Sequence, residues 1–391
     1  MTKPKSINSL TGLRFFAAIS VVIAHYADNA HYTILGLNLD TATLGMPLFF
    51  TLSGFVIHYV YSQEFAGSWS SAARSFAAAR CSRLYPLFLF FFAYFVLFGG
   101  LDRMLSYPTV TISYLGLTAS WWYWLADDKA LAQWPYGLTW SISTEWFFYL
   151  CYALGLFRLH RVRTVRTLVL AIAALSVTAY LLNLYVYIHI WLPELGGRFG
   201  FWLVYISPYM HMFEFLAGCL ICQLYLNLRG QIVTRRANEI IFWTGLAWVA
   251  VLLALYLKTA SGAPWASSSR LFDFIAFLHM TYLLVPGIVL MILALALGNC
   301  AAARFLAAAP LVFLGDISYS IYLGHTVAGA LTPVGPDSAY PELKLFAGLA
   351  FVCFFAAGLY LCIEVPSKRM LRKVFTAKPL VLAGAAPVGR Y

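Results

Sequence analysis

Runs of about 17 to 25 mostly apolar residues recur along the whole chain, separated by short polar connections, and each is long enough to cross roughly 30 Å of hydrocarbon as a helix. A soluble fold cannot bury so much apolar surface. Of the 391 residues, 62% are hydrophobic and only 10% charged, against roughly 25% charged in soluble domains. The pattern predicts an all-α polytopic membrane protein of about ten transmembrane helices, at 10–27, 44–61, 84–100, 138–157, 167–190, 202–226, 239–257, 274–297, 311–331 and 343–363. One more apolar stretch, 109–126, carries Trp121, Trp122, Tyr123 and Trp124. Counting it as a span would move Arg158, Arg161, Arg163 and Arg166 outside, so it is assigned as a re-entrant or interfacial segment.

Ten spans with both termini cytoplasmic place 19 of the 26 basic residues on the inner side, including Lys3, Lys5, Arg74, Arg229, Arg235, Arg236 and Arg304. The outer connections hold acidic residues, among them Asp28, Asp40, Asp102, Asp127, Asp128 and Glu194. The net charge of +11 is then a consequence of orientation, and no nucleic-acid partner is needed to explain it. The first apolar run follows two lysines but contains Arg14 and lacks a clear small-x-small cleavage site, so it is expected to be a retained helix. A single membrane domain is expected over 1–375, with a loose cytoplasmic tail, rich in Pro, Gly and Ala, over 376–391. Of seven cysteines, five (Cys151, Cys219, Cys222, Cys353 and Cys362) lie in apolar runs, where a thiol behaves as a small hydrophobe. No disulfide framework and no metal site is indicated, and packing is the expected role of Cys219 and Cys222.

Ionisable side chains inside a span are costly, so each needs a partner or a task. Arg14 and His25 lie eleven residues apart on the first helix, which puts them about 20° apart around its axis and roughly 16.5 Å apart along it. Each could simply sit near a helix end, Arg14 reaching the inner headgroups and His25 the outer interface. Glu145, within Thr139-Trp140-Ser141-Ile142-Ser143-Thr144-Glu145, is expected in the outer half of its helix at the depth of His25, and a histidine is a fitting partner for it. Tyr319, Tyr322 and His325 follow Asp316 at helical spacing as a polar stripe. His211 and Glu214, three residues apart, can pair with each other. Arg80 and Arg83, in Arg80-Cys81-Ser82-Arg83-Leu84-Tyr85-Pro86, could clasp a phosphate or diphosphate, or be part of the ordinary cytoplasmic bias. Ser53-Gly54 offers close helix packing. Together these residues predict a polar cavity inside the membrane.

Five segments in order resemble acyltransferase family 3: Leu10-Thr11-Gly12-Leu13-Arg14 through His25, Gly45 to Phe55, Arg80 to Pro86, Trp140 to Glu145 with Phe148-Tyr149, and Phe313 to His325. The resemblance covers about residues 8–370. It implies a ten-helix enzyme of the bacterial inner membrane that takes acyl groups from cytoplasmic acyl-CoA. The acceptors it implies are sugars of surface polysaccharides, lipopolysaccharide or peptidoglycan, some of them lipid-linked, or secondary metabolites. Carried over, the family's essential Arg and His fall on Arg14 and His25, and its Arg-x-x-Arg motif on Arg80 and Arg83. Many relatives have two adjacent carboxylates in the fourth segment, whereas Glu145 is followed by Trp146. Some also carry a C-terminal extracytoplasmic hydrolase-like domain, which this chain is too short to contain, so transfer is expected to be completed by the membrane domain or a separate partner.

The expected mechanism uses acetyl-CoA as co-substrate, no tightly bound cofactor and no metal. Arg14, Arg80, Arg83 and Tyr85 are expected at the donor, with the pantetheine arm running up the first helix to His25. His25 would act as general base or accept the acyl group itself. Glu145 would orient its ring, and Ser53, Trp140, Ser143, Tyr322 and His325 are candidates for oxyanion or acceptor contacts. The rival class is a transporter or flippase for a lipid-linked sugar, since a buried Arg, His and Glu also suit a proton-coupled pathway. Neither an internal repeat nor a pair of inverted broken helices is visible to support it.

Overall fold

The structure, a computed structural model, describes residues 6–30, 33–34, 37–38, 41–126, 129–130, 137–194, 197–229, 231, 233–260, 270–332 and 341–376. The helices in chain order are α1 (Asn8–Ala30), α2 (Ala42–Tyr61), α3 (Trp69–Phe95), α4 (Leu101–Ser106), α5 (Pro108–Leu115) and α6 (Trp140–Leu154). They continue with α7 (Val165–Val186), α8 (Leu192–Glu194), α9 (Arg198–Phe201), α10 (Pro208–Leu228), α11 (Arg235–Ala260) and α12 (Arg270–His279). The last are α13 (Val285–Leu297), α14 (Ala301–Leu306), α15 (Ala309–Asp316), α16 (Ser318–Leu331), α17 (Pro341–Leu359) and α18 (Val365–Thr376). Two antiparallel pairs of two-residue strands, Thr33–Ile34 with Leu37–Asn38 and Leu125–Ala126 with Lys129–Ala130, close loops between helices.

The chain is an all-α multi-pass membrane protein. Among the described residues, seven helical segments are long and apolar enough to cross a membrane. The other three expected spans are shorter or broken. The 138–157 segment is α6, only 15 residues long, entered through a 3-10 turn at Gly137–Thr139. The 274–297 segment divides into α12 and α13, with Pro286 in the first turn of α13, where its missing N–H costs nothing. Gly298, at a φ of 75°, caps the far end of α13. The 311–331 segment breaks at Ile317 between α15 and α16. The 109–126 segment does not cross: α5 stops at Leu115, Leu117 takes a φ of 56°, and a 3-10 turn at Ala119–Trp121 follows. The tail beyond residue 376 lies outside the described residues.

Burial sorts the helices. In α1, α2 and the Arg198–Leu228 segment, 61 to 72% of the apolar window is buried, against 17 to 28% for the spans at Trp69–Phe98, Val165–Trp191, Arg235–Leu257 and Leu343–Leu371. The first group forms the centre and the second faces lipid with aliphatic and aromatic side chains. At the centre, α2 and α10 meet backbone to backbone. A Cβ on Gly54 would lie 2.1 Å from the Phe215 carbonyl oxygen, and one on Gly218 only 2.0 Å from that of Thr51. Gly12 and Gly315 do the same for α1 against Leu306 and for α15 against Thr11. Small residues at such crossings let dispersion contacts replace the hydrophobic drive that lipid does not supply. Cys219 donates to the Gly54 carbonyl at 3.4 Å within this seam, and Cys222 is buried beside it. Among the described residues, no group of three or more His, Cys, Asp or Glu could hold a metal.

Candidate active site

The direction of each central helix decides which polar residues meet. Two cavities lie along α1. The first is lined by Arg14, Arg83 of α3, Phe49, Phe50 and Ser53 of α2, Ser141 and Glu145 of α6, and Ser318 and Tyr319 of α16. The second is lined by Val21 and His25, Gly137 and Leu138, Trp140, Tyr205 and Thr326. Met46 and Tyr322 line both. Helices α2 and α6 therefore run opposite to α1, reaching the His25 level at Met46 and Trp140 and the Arg14 level at Ser53 and Glu145. Helix α16 runs with α1, from Ser318 and Tyr319 beside Arg14 to His325 beside His25.

This arrangement corrects the expected pairing of His25 with Glu145. Glu145 lies about a turn and a half beyond Trp140, which sets it at the depth of Arg14. Its Oε1 accepts from Ser53 Oγ at 2.8 Å and from the Tyr149 hydroxyl at 2.5 Å. His25 instead meets His325, Nδ1 to Nε2, at 2.8 Å. The two rings are nearly parallel, 9° apart, with centroids separated by 5.0 Å. The Nδ1 of His325 lies 2.7 Å from the Tyr322 carbonyl oxygen. His325 is fully buried.

The first cavity is charged and narrow, with a volume of about 60 Å³. Two guanidinium groups face one carboxylate across its lining, so it suits an anion. The side-by-side clasp expected of Arg80 and Arg83 is not formed. Three residues along a helix leave side chains some 60° apart around the axis, and here that angle sends Arg83 to the cavity and Arg80 behind its wall. Arg80 Nη2 donates to the Tyr61 hydroxyl at 2.9 Å. Its guanidinium sits 5.1 Å over the Tyr61 ring, 5.6 Å over Tyr149 and 5.9 Å over Phe76. Tyr85 is likewise outside the lining: its hydroxyl donates to the Leu115 carbonyl at 3.2 Å and ties α5 to α3.

The second cavity is larger, about 390 Å³, within the range of about 300 to 1,000 Å³ typical of small-molecule sites. Its wall is aromatic. Trp140 stacks on His211 at 5.7 Å, and behind it the buried His211 Nδ1 meets Glu214 at 3.1 Å while Nε2 meets the Tyr205 carbonyl at 3.0 Å. The expected His211–Glu214 pair thus exists and braces the wall. Ser143 does not reach either cavity, because its hydroxyl accepts from the Ser120 amide at 3.1 Å and the Ser120 hydroxyl at 2.9 Å. With Trp121 Nε1 donating to the Ser143 carbonyl at 2.9 Å, this fixes the 109–126 segment on α6.

Between the cavities, Tyr322 donates its hydroxyl to the Leu138 carbonyl at 2.9 Å and accepts from Ser141 Oγ at 2.7 Å. Phe49 packs edge-on against its ring. Met46 completes the partition. Sequence reading missed Ser141, Met46, Tyr205 and the role of Tyr149. The one signal that pointed this way was the spacing of Tyr319, Tyr322 and His325, which places a polar stripe without naming what it faces.

The family profile described as "Acyltransferase domain" matches residues 7–365. The O-acetyltransferase OatA of Staphylococcus aureus is 25% identical over 390 residues, an alignment that covers 97% of this chain and 60% of OatA. The acyltransferase MdmB of Streptomyces mycarofaciens is 28% identical, with 94% of each chain covered. The putative peptidoglycan O-acetyltransferase YrhL of Bacillus subtilis is 24% identical, covering 96% of this chain and 57% of YrhL. The chain spans about 60% of the length of OatA. No solved structure matches it.

Proposed function

The chain belongs to acyltransferase family 3, whose profile spans residues 7–365, and from that premise we propose that it is a membrane-embedded O-acyltransferase using acetyl-CoA to acetylate a carbohydrate hydroxyl. The observation that carries the reading is the pair of abutting cavities, one cationic and one lined by an imidazole, with Tyr322 and Met46 between them. In this reading the Arg14 cavity opens to the cytoplasm. It is too narrow for a nucleotide and admits the slender arm of the donor, while Arg14 and Arg83 draw in its anionic end. The thioester passes Tyr322 to the His25 level, about 16.5 Å along α1. The acceptor occupies the larger aromatic cavity, where Trp140 and Tyr205 offer flat faces to a sugar ring.

His25 takes the hydroxyl proton as the oxygen attacks the thioester carbonyl, and the departing thiolate then receives that proton. Glu145 balances the charge of Arg14 and Arg83 and has no direct hand in this step. O-acetyl transfer is supported by the name of OatA and a glycan acceptor by that of YrhL, a putative peptidoglycan O-acetyltransferase, and in this reading the enzyme sits in the bacterial inner membrane with donor and acceptor on opposite sides.

The test uses the protein in inner-membrane vesicles with radiolabelled acetyl-CoA, followed by release of alkali-labile acetate from the glycan fraction. Wild type should label the glycan and a stably inserted His25→Ala should not. Equal labelling by the two would overturn the catalytic assignment. Movement of a lipid-linked sugar without any acetyl-CoA dependence would favour a transporter.

A further inference from the structure

A histidine base can work through either ring nitrogen, and which one is basic depends on where the other sends its hydrogen. The contacts around His25 answer this through a short chain of donors and acceptors. The Tyr322 carbonyl only accepts, so His325 Nδ1, 2.7 Å away, carries a hydrogen. His325 is fully buried, and no carboxylate is hydrogen-bonded to it among the described residues. Burying a second proton there would leave an unpaired charge inside the membrane. The neutral ring with hydrogen on Nδ1 presents a lone pair at Nε2. The nitrogen facing that lone pair, His25 Nδ1 at 2.8 Å, must then be the donor. The near-parallel rings, whose centroids are 5.0 Å apart, suit an N–H pointing along the ring plane into a lone pair.

We infer that His325 is a positioning residue that holds His25 as its Nδ1–H tautomer, so that Nε2 is the basic nitrogen on the acceptor cavity. The inference rests on the reading of His25 as the base and extends it to a specific atom. It also gives a physical reason for a histidine at 325. A carboxylate in that position would fix the same tautomer but bring a charge into a buried site, whereas a neutral imidazole whose own hydrogen is committed to a backbone carbonyl brings none. The helix supplies the anchor itself, since Tyr322 stands one turn before His325 on α16.

The tautomer can be measured without any turnover, by solid-state nitrogen NMR of histidine-labelled protein in liposomes, with His25 assigned by difference from His25→Asn. The expected signature is a protonated, pyrrole-type Nδ1 and an unprotonated, pyridine-type Nε2 at His25. The reverse assignment would overturn the proposal, whether or not the protein transfers acetyl. If the signature appears and wild type transfers nothing, the acyltransferase reading fails while the positioning of His25 stands.

Two variants separate positioning from packing. His325→Phe keeps a ring but removes the acceptor, and should lower kcat by about 10² to 10³-fold with both KM values within about twofold. His25 should then move toward the Nε2–H tautomer. His325→Gln, whose side-chain oxygen can accept from His25 Nδ1–H, should recover kcat to within about tenfold of wild type. Equal losses in the two variants with an unchanged His25 signature would reduce His325 to a packing role. A His325→Phe protein that fails to insert leaves the wild-type NMR measurement as the deciding one.

Discussion

The two cavities differ in what they ask of their walls. Around Arg14 the lining carries formal charge, with Arg83 on the same wall and Glu145 held in place by Ser53 and Tyr149. Around His25 the lining holds no Arg, Lys, Asp or Glu among the described residues, and the walls are aromatic. A charged throat discriminates by attraction, which is strong where water is excluded and acts mainly on binding. A neutral imidazole in an aromatic chamber contributes little to binding and a great deal to proton transfer. In the proposed reading, donor recognition and chemistry fall on separate stretches of one helix, and substitutions in the two regions should separate KM from kcat.

The largest effect is expected at the chemical end. His25→Gln should lower kcat by about 10³-fold while leaving KM for acetyl-CoA within about twofold. A raised KM with normal kcat would merge the two regions into one binding site. Next, Arg83→Met should raise KM for acetyl-CoA by about 10 to 100-fold, the usual worth of a hydrogen bond to a charged group, with a smaller change in kcat. An unchanged KM would remove Arg83 from donor recognition.

Arg80 sharpens the contrast because it is Arg83's neighbour yet stands behind the wall. Arg80→Met should change KM by less than about threefold but lower stability in detergent by about 1 to 2 kcal/mol, through loss of its contacts with Tyr61, Tyr149 and Phe76. A KM shift as large as that of Arg83→Met would restore the two-arginine clasp. The smallest effect belongs to Tyr85→Phe, which removes one hydrogen bond to Leu115. It should cost about 1 kcal/mol of stability and leave acetyl transfer within about twofold, as a radiolabel assay would show.

The apolar runs fixed the class of fold because length and hydropathy are properties of one segment at a time. The same is true of the Arg14 to His25 spacing and of the Gly54 seam. Glu145 shows where such reading ends. Its depth depends on where α6 starts, after the turn at Gly137–Thr139, and on the vertical offset between α6 and α1, neither of which is written in the periodicity of either helix. Ile317 is similar, since nothing apolar or polar about it signals the break that aims Tyr322 and His325 at α1. Arg80 and Arg83 were separated by azimuth alone: three residues apart, they face a ring cluster and a cavity. Pro286 carries a local signal, since proline favours the first turn of a helix, yet the expected span 274–297 ran through it unbroken.

The wall made by Tyr322 and Met46 has an electrical consequence. If water reaches the Arg14 cavity from one side and the His25 cavity from the other, most of the membrane potential falls across the thin dry layer between them. A unit charge crossing that layer experiences about 2.3 kcal/mol per 100 mV. A neutral thioester crosses it unaffected, whereas a free proton does not. The side chains that separate donor from acceptor would then also be the insulation of the membrane at this point, and enlarging the passage would cost the cell current as well as acetyl groups.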